Sequence, residues 1–410
     1  MGDAHEGETA ALTHLERHDS RDARPLNVAL FFSSFGGGGT QRRMLTLCGA
    51  FAQRGHRTSI LVADPEGPFR SLVPPPVPVV PMVSWLHRIP GIRGHKWRRV
   101  LASAPALAEH LRREPPDVLL ASSHLPNAVA VWAAQRTCPP TPAVVSVNAP
   151  LSAAGIQRTR ISDLIVWPLT AGCYAKADAV IAISRGLAGE LVGTGGVTPE
   201  RVFTIPNPVD AARIQALARE PLDHPWFARG APPVVLGVGK LEPQKDYPTL
   251  LRAFARLRVG SPLRLAILGE GPQRDRLERL ARDLAISGDV LLPGFQMNPF
   301  AWLARAAVFV LSSAWEGASN ALLEALACGC PAVSTDCLSG PSETLDGGRY
   351  GPLVPVGDDR ALAEAIAHVL RSPQDRARLT ARAEVFSVDR AAMGYLDVLR
   401  RVAAPRRASV

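Results

Sequence analysis

Short apolar blocks alternate with longer amphipathic ones along almost the whole chain. Asn27–Phe32 is a β-favouring run that ends in Ser33-Ser34-Phe35 and four glycines, Gly36–Gly39. From about Thr40 to Arg54 the apolar Met44, Leu45, Leu47, Cys48 and Phe51 fall at helical spacing, and Gly55 supplies the stop. Strands are expected at Arg57–Ala63, Val118–Ala121, Ala143–Val147, Ala179–Ile183 and Val202–Ile205. The pattern restarts after residue 210. Arg219–Pro233, rich in proline and polar residues, reads as a linker. The strand Val234–Val238 follows, then a helix over Tyr247–Leu257, a strand Leu263–Leu268, the turn Gly269–Pro272 and a helix near Gln273–Leu284. Val290–Leu292, Ala307–Leu311 and Ala332–Ser334 continue the alternation. Strands alternating with helices predict parallel sheets covered on both faces, here in two successive α/β units facing a cleft.

The expected division is a disordered tail over 1–24, a first domain over 25–212, a second over 213–387, and a C-terminal helix over 388–410. That helix packs back on the first domain and ends in a frayed tail. With 410 residues, 47% of them hydrophobic, each half can bury a core. No apolar run is long enough to span a bilayer: the best candidate, Val118–Ala134, is broken by His124, Pro126 and Asn127. Met1–Arg24 has no apolar centre, so no secretory signal is expected there. Six scattered cysteines, with only Cys328 and Cys330 close together, make no disulfide framework, and the expected compartment is the cytoplasm.

A formal net charge of +9 favours an anionic partner. Zinc-finger spacing and an aromatic stacking signature are both missing, so nucleic acid is not expected. The segment Trp85–Arg99 mixes cations with Trp85, Ile89, Ile92 and Trp97, which suits an anionic membrane surface; Arg158, Arg160, Ile161, Ile165 and Trp167 could extend that face. A solvated basic face with scattered aromatics is the competing reading.

Three places carry candidate chemistry. Gly36–Gly39, between a strand and a helix, can receive an anion on free backbone N–H groups, although four glycines also serve a tight turn. It is not the dinucleotide fingerprint, because the third glycine and the acidic residue about 20 positions on are not convincingly placed. In Trp315–Pro331, Ser319 or Asn320 can cap a short helix ending before Gly329. Glu324 then falls just inside its first turn and Glu316 in the loop leading in, so both carboxylates border one helix N-terminus, either as acceptors for sugar hydroxyls or as dipole partners of the helix. Lys240 and Lys245, in the loop after Val234–Val238, lie at the sheet edge where open α/β folds bind ligands, and could neutralise a diphosphate leaving group.

Taken together these residues resemble the retaining glycosyltransferases of the GT-B fold, specifically glycosyltransferase family 4. The resemblance lies in Glu316-x7-Glu324, in the Gly239-Lys240-Leu241 loop with Lys245, in Gly269-Glu-Gly-Pro272, in Pro293-Gly-Phe295 and in Ser339-Gly-Pro-Ser-Glu343. More loosely, Gly36–Gly39, His124, Tyr174–Asp178, Ile183-Ser184 and Ile205–Asp210 match in the first half. The resemblance implies two Rossmann-like domains in the GT-B arrangement. It also implies that Lys240 and Lys245 grip the donor diphosphate, that Glu316 contacts the transferred sugar with backbone amides of Ser319, Asn320, Ala321 and Leu322, and that Glu324 holds the ribose. The base would stack near Phe295 and Gln296, by the turn that contains Gly271. Gly37 and Gly38 would close over the phosphates, and His124 would lie near the reacting sugar. Two positions depart from the family pattern: Lys240 stands where arginine is common, keeping charge without the bidentate fork, and Asn148 stands where many relatives carry histidine.

The expected activity is thus retaining transfer from a nucleotide-sugar, with uridine as base, to a glycan or lipid-linked sugar in cell-surface polysaccharide synthesis. It would take place in the cytoplasm, at the inner face of the plasma membrane. The sequence has no Asp-x-Asp pair, so no metal and no other cofactor is expected. A non-catalytic nucleotide-sugar or glycan-binding relative and a nucleotide-sugar epimerase of similar fold are the alternatives; the missing fingerprint speaks against a dehydrogenase.

Overall fold

The computed structural model describes residues 24–36, 38–89, 92, 94–151, 170, 172–260, 262–372 and 375–404. The tail expected over 1–24, all but its last residue, and the frayed end beyond 404 lie outside the described residues.

Seven parallel strands form the first sheet. They are β1 (Asn27–Ser34), β2 (Arg57–Asp64), β3 (Val79–Pro81), β4 (Val118–Ser122), β5 (Ala143–Val147), β6 (Ala179–Ala182) and β7 (Val202–Thr204), in the order β3-β2-β1-β4-β5-β6-β7. β1 shows why such a sheet needs cover on both faces. Val28, Leu30 and Phe32 enter one core cluster while Ala29 and Phe31 enter the other, as a period of two requires. The first cluster lies under helix α1 (Gly39–Gln53) and the second under α2 (His124–Ala134). A further helix, α3 (Arg185–Gly193), follows β6.

The second sheet has six parallel strands: β8 (Val234–Val238), β9 (Arg264–Leu268), β10 (Val290–Leu291), β11 (Val308–Leu311), β12 (Ala332–Thr335) and β13 (Leu353–Val354), ordered β10-β9-β8-β11-β12-β13. Helix α4 (Asn320–Ala327) follows β11 and buries Leu322, Leu323 and Leu326 against this sheet. The last helix, α5 (Val388–Ala403), returns to the first domain, where Tyr395, Leu396 and Leu399 join the core beneath α1. The Tyr395 hydroxyl meets Ser146 Oγ at 3.0 Å.

The chain crosses between domains twice, side by side. Val209 donates its N–H to the Phe386 carbonyl at 2.8 Å and bridges Ser387 in parallel. That pairing ties the outgoing and returning segments into one hinge.

One strand is added to those expected and one expectation is corrected. The proline-rich Pro74–Pro81 ends in the edge strand β3, whose outer side has no neighbour to need the missing proline N–H. Arg219–Pro233 is not a free linker: His224 and Phe227 pack on Trp302, with Phe227 and Trp302 rings 5.4 Å apart edge to face, while Trp226 packs on His224 and lies under Arg264. Those aromatics fasten the segment to the second domain.

Candidate active site

The C-terminal ends of both sheets face one another, and the loops leaving them form the site. On the second domain, Glu316 lies in the loop after β11 and is 4% exposed. Its carboxylate receives Lys245 Nζ at 2.5 Å and Ser313 Oγ at 2.7 Å, both on Oε1, with Gln244 Nε2 3.4 Å from Oε2. Gln244 also donates to the Trp315 carbonyl, and its own carbonyl receives the Ala314 N–H, so the loops after β8 and β11 are stitched together. Ser313 and Gln244 were not singled out from sequence; their nearness to Glu316 and Lys245 in the chain is the only signal they carry.

The two lysines therefore do not form a pair of free cations. Lys245 is neutralised by Glu316 in a nearly buried ion pair, whereas Lys240 is exposed at the rim and its ammonium has no hydrogen bond or ion pair among the described residues. The loop Gly239–Leu241 stacks on the turn holding Gly271. A Cβ at Gly271 would sit 2.5 Å from the Leu241 carbonyl oxygen, so only glycine allows that approach. Phe295 is exposed beside this turn, and Gln296 Nε2 donates to the Pro293 carbonyl.

Helix α4 is capped by Ser319, whose Oγ accepts from the Leu322 N–H at 3.4 Å. The Leu322 amide is thereby taken, while the amides of Asn320 and Ala321 have no partner among the described residues and are open to a ligand. Glu324 begins the second turn rather than lying inside the first, because the helix starts at Asn320. Burial pushes its carboxyl pKa up, and Arg42, at 3.7 Å from the opposite domain, partly offsets that shift. The Arg42 guanidinium also lies over the rings of Phe69 and Phe300, one from each domain.

From the first domain, the glycine loop arrives at the start of α1. Gly38 is the N-cap residue and donates its N–H to the Gly36 carbonyl at 2.8 Å; Gly37 is outside the described residues. His124 opens α2 directly after Ser123, a non-glycine residue at φ +84°. Such strain is maintained only where the surroundings fix it. His124 Nδ1 lies 2.6 Å from the Tyr174 hydroxyl. Burial keeps that phenol protonated, so a neutral hydroxyl faces Nδ1. Burial pushes the imidazole pKa down to about 4, only partly countered by Glu190.

The domains are closed on one another. A Cβ at Gly317 would come within 2.4 Å of the Asn148 carbonyl oxygen. Asn148 Nδ2 donates to Thr40 Oγ1, which binds it to the start of α1. Asn207 Nδ2 donates to Asn320 Oδ1 at 2.7 Å, and Glu343 accepts the Arg185 and Gly186 N–H groups at 2.9 and 3.1 Å.

Further from the cleft, Trp85–Arg99 divides into two parts. Val83, Trp85 and Ile89 are exposed next to Arg88 and Lys96, whereas Trp97 packs on the core and Arg99 is paired with Asp64 at 2.6 Å. Arg158, Arg160, Ile161, Ile165 and Trp167 lie outside the described residues. No helix among the described residues is long and apolar enough to cross a membrane.

Two parallel-sheet domains closing a buried Glu–Lys pair between their C-terminal edges define a GT-B glycosyltransferase. Comparison with known proteins agrees with this class: residues 37–213 match Glycosyltransferase Family 4 and residues 219–386 match Glycosyl transferases group 1. The lipopolysaccharide core biosynthesis glycosyltransferase LpsE of Rhizobium meliloti is 30% identical over 352 residues, covering 84% of this chain and 89% of its own length. The chain belongs to this glycosyltransferase family. A Campylobacter jejuni N-acetylgalactosaminyltransferase acting on a diphospho-undecaprenol-linked sugar is 32% identical over 230 residues, 54% of this chain and 61% of that protein, so less than two thirds of its length is matched. Among solved structures, Anabaena HepE in complex with UDP and glucose superposes with a TM-score of 0.72 at 18% identity, covering 92% of this chain and all of that one, which is a likeness of fold.

Proposed function

We propose that the protein moves a sugar from a nucleoside diphosphate sugar, with uridine as the base, to a glycan or lipid-linked sugar, with retention at the anomeric carbon and no divalent metal. The observation that carries this reading is the contact of Glu316 with Lys245 at the sheet edge, flanked by Glu324 and the open amides of α4. A buried carboxylate held by a lysine is a preorganised acceptor for sugar hydroxyls, and the same lysine is placed to meet charge developing on a departing phosphate. In the transfer, the bond from the anomeric carbon to the phosphate oxygen breaks with its electron pair going to the diphosphate. The acceptor oxygen bonds to the anomeric carbon on the same face, and its proton passes to the departing phosphate oxygen. Lys240 would supply free positive charge, and Lys245, already paired with Glu316, a hydrogen bond to the departing phosphate, in place of a metal; the sequence contains no Asp-x-Asp pair. His124, held neutral by burial, would orient a hydroxyl rather than carry charge.

The names of the Rhizobium and Campylobacter relatives favour an acceptor used in cell-surface polysaccharide assembly. Exposed Val83, Trp85 and Ile89 beside Arg88 and Lys96 suit docking on an anionic leaflet at its cytoplasmic side, where a lipid-linked acceptor would be met.

The deciding experiment is a thermal-shift panel of UDP-, GDP- and ADP-sugars on the wild type and Glu324→Ala, followed by transfer assays. Saturation at 100 times Kd adds about 2.7 kcal/mol of stability. A shift with the uridine donor that shrinks in the variant is expected, together with transfer undiminished in excess chelator and a product of the donor's anomeric configuration. No shift with any donor would overturn the assignment, and a strict metal requirement would overturn its metal-free part. For the surface patch, co-sedimentation with anionic liposomes at low salt is expected to fall in Trp85→Ser; wild type remaining in the supernatant would remove that part of the reading.

A further inference from the structure

Arg43 is buried in the wall of the cleft, 3% exposed, with no carboxylate in ion-pairing distance among the described residues. Its Nη1 donates to Asn207 Oδ1 at 2.9 Å and its Nη2 to Ser122 Oγ at 2.5 Å; its Nε has no partner among the described residues. A guanidinium taken out of water with only neutral acceptors and an orphan N–H is costly, of the order of several kcal/mol before compensation. Fold stability alone does not account for it.

The partners show what it connects. Ser122 ends β4, one residue before the strained Ser123 that sets up His124. Asn207 lies in the crossing between the domains and passes its own amide to Asn320, the first residue of α4. Gly39, at the start of the same helix as Arg43, lies directly against the Asn320 side chain. Arg43, Arg42, Asn320 and Glu324 line one cavity of about 260 Å³ between the domains. A single buried cation thus ties together the acceptor-side sheet edge, the interdomain crossing and the helix whose open amides and Glu324 form the donor site.

We propose that Arg43 is a positioning residue for donor binding: through Asn207 it holds Asn320 and the N-terminus of α4 in the closed arrangement, and its uncompensated charge biases the cleft toward an anionic nucleotide. This rests on the nucleotide-sugar reading above. It assigns the donor site a determinant from the acceptor-side domain, at a position with no place among the residues that carried the family resemblance.

The test uses the full chain and four variants, Arg43→Gln, Arg43→Lys, Asn207→Ala and the double Arg43→Gln/Asn207→Ala, with UDP, GDP and ADP by calorimetry, steady-state kinetics and ligand-free thermal stability. Arg43→Gln is expected to weaken binding of the preferred nucleoside diphosphate about tenfold or more and to raise the donor KM alike, while the acceptor KM changes less than twofold. Its ligand-free Tm is expected to stay level or rise, since a buried unpaired charge has been removed. Arg43→Lys should recover part of the affinity by charge without the fork. Asn207→Ala, which leaves the charge and cuts the relay, should raise the donor KM less than additively with Arg43→Gln. A lowered ligand-free Tm with donor KM unchanged would make Arg43 merely structural and overturn the proposal. Wild-type protein that binds none of the three nucleotides would instead overturn the nucleotide-sugar reading itself, so the two failures are distinguishable.

Discussion

At the scale of single residues, the site is governed by which charges are buried and what meets them. Glu316 and Glu324 were both legible as a spaced pair, yet only the fold shows that they have different partners: Glu316 is held by Lys245 and Ser313, Glu324 faces Arg42 across the cleft. Partners from distant segments leave no local trace in sequence, which is why Arg42 and Arg43 were invisible there and Asn207 showed only as part of the Ile205–Asp210 run, without its role, while Lys245 was singled out. His124 gives a prediction with a definite sign. Its folded pKa, about 4, lies below the unfolded value near 6.5, so above that value neither state is charged and the group is neutral to stability. As pH falls from about 6.5 toward 4 the unfolded chain takes up a proton that the folded one refuses, and stability is lost, up to about 3 kcal/mol, levelling off below 4. In His124→Gln that proton uptake is absent. The Tm difference between pH 7 and pH 4.5 should accordingly be several degrees smaller in the variant than in the wild type. Equal acid sensitivity of the two proteins would show that His124 is not held neutral.

At the scale of elements, the returning helix α5 makes the first domain depend on the last residues of the chain. Tyr395 is fully buried among β1, α1 and the neighbouring strands, and its hydroxyl is bonded to Ser146 on β5. Tyr395→Phe keeps the ring and loses one buried hydrogen bond, about 1 kcal/mol. Tyr395→Ala empties the site and should cost about 3–5 kcal/mol. Because two domains need not melt together, the readout is the calorimetric transition to which the first domain contributes, with the nucleotide-stabilised transition as internal control. A Tyr395→Ala protein melting like the wild type would mean that α5 is not integral to that core. The elements themselves were largely readable from the chain. Central strands such as Ala143–Val147 and Val234–Val238 are continuous apolar runs because both their faces are covered, and their limits in the structure are those of the runs. Where one face or one edge is open the signal fades. β3 hides among prolines at the sheet edge, and the two-residue β13 is too short to show a period. Arg219–Pro233 misled for another reason: its turn-forming composition was plain, but the clasp of His224 and Phe227 on Trp302 joins residues nearly 80 positions apart in the chain.

At the scale of the whole molecule, closure is held by a few polar contacts rather than by a broad apolar seam, so it should respond to single substitutions and to salt. The contact made by Glu343 is the most informative. Glu343, from the second domain, accepts the N–H groups of Arg185 and Gly186 at the first turn of α3 and lies 3.7 Å from the Arg185 guanidinium. A carboxylate at a helix N-terminus is favoured by the free amides and the dipole, but this one reaches that helix only when the domains are closed. The interaction is partly solvated, which limits it to about 1 kcal/mol, or roughly a fivefold bias toward the closed form. Glu343→Ala should therefore open the ligand-free protein. Small-angle scattering should give a larger radius of gyration than in the wild type at low salt, and raising the salt should bring the wild type toward the variant. Saturating nucleotide should close both, because ligand contacts from the two domains outweigh the lost cap, so kcat should survive while the donor KM rises a few-fold. An unchanged radius of gyration and donor KM in Glu343→Ala would show that the other contacts hold the domains together without it. If kcat fell and the donor KM did not, Glu343 would be acting on the reaction rather than on closure.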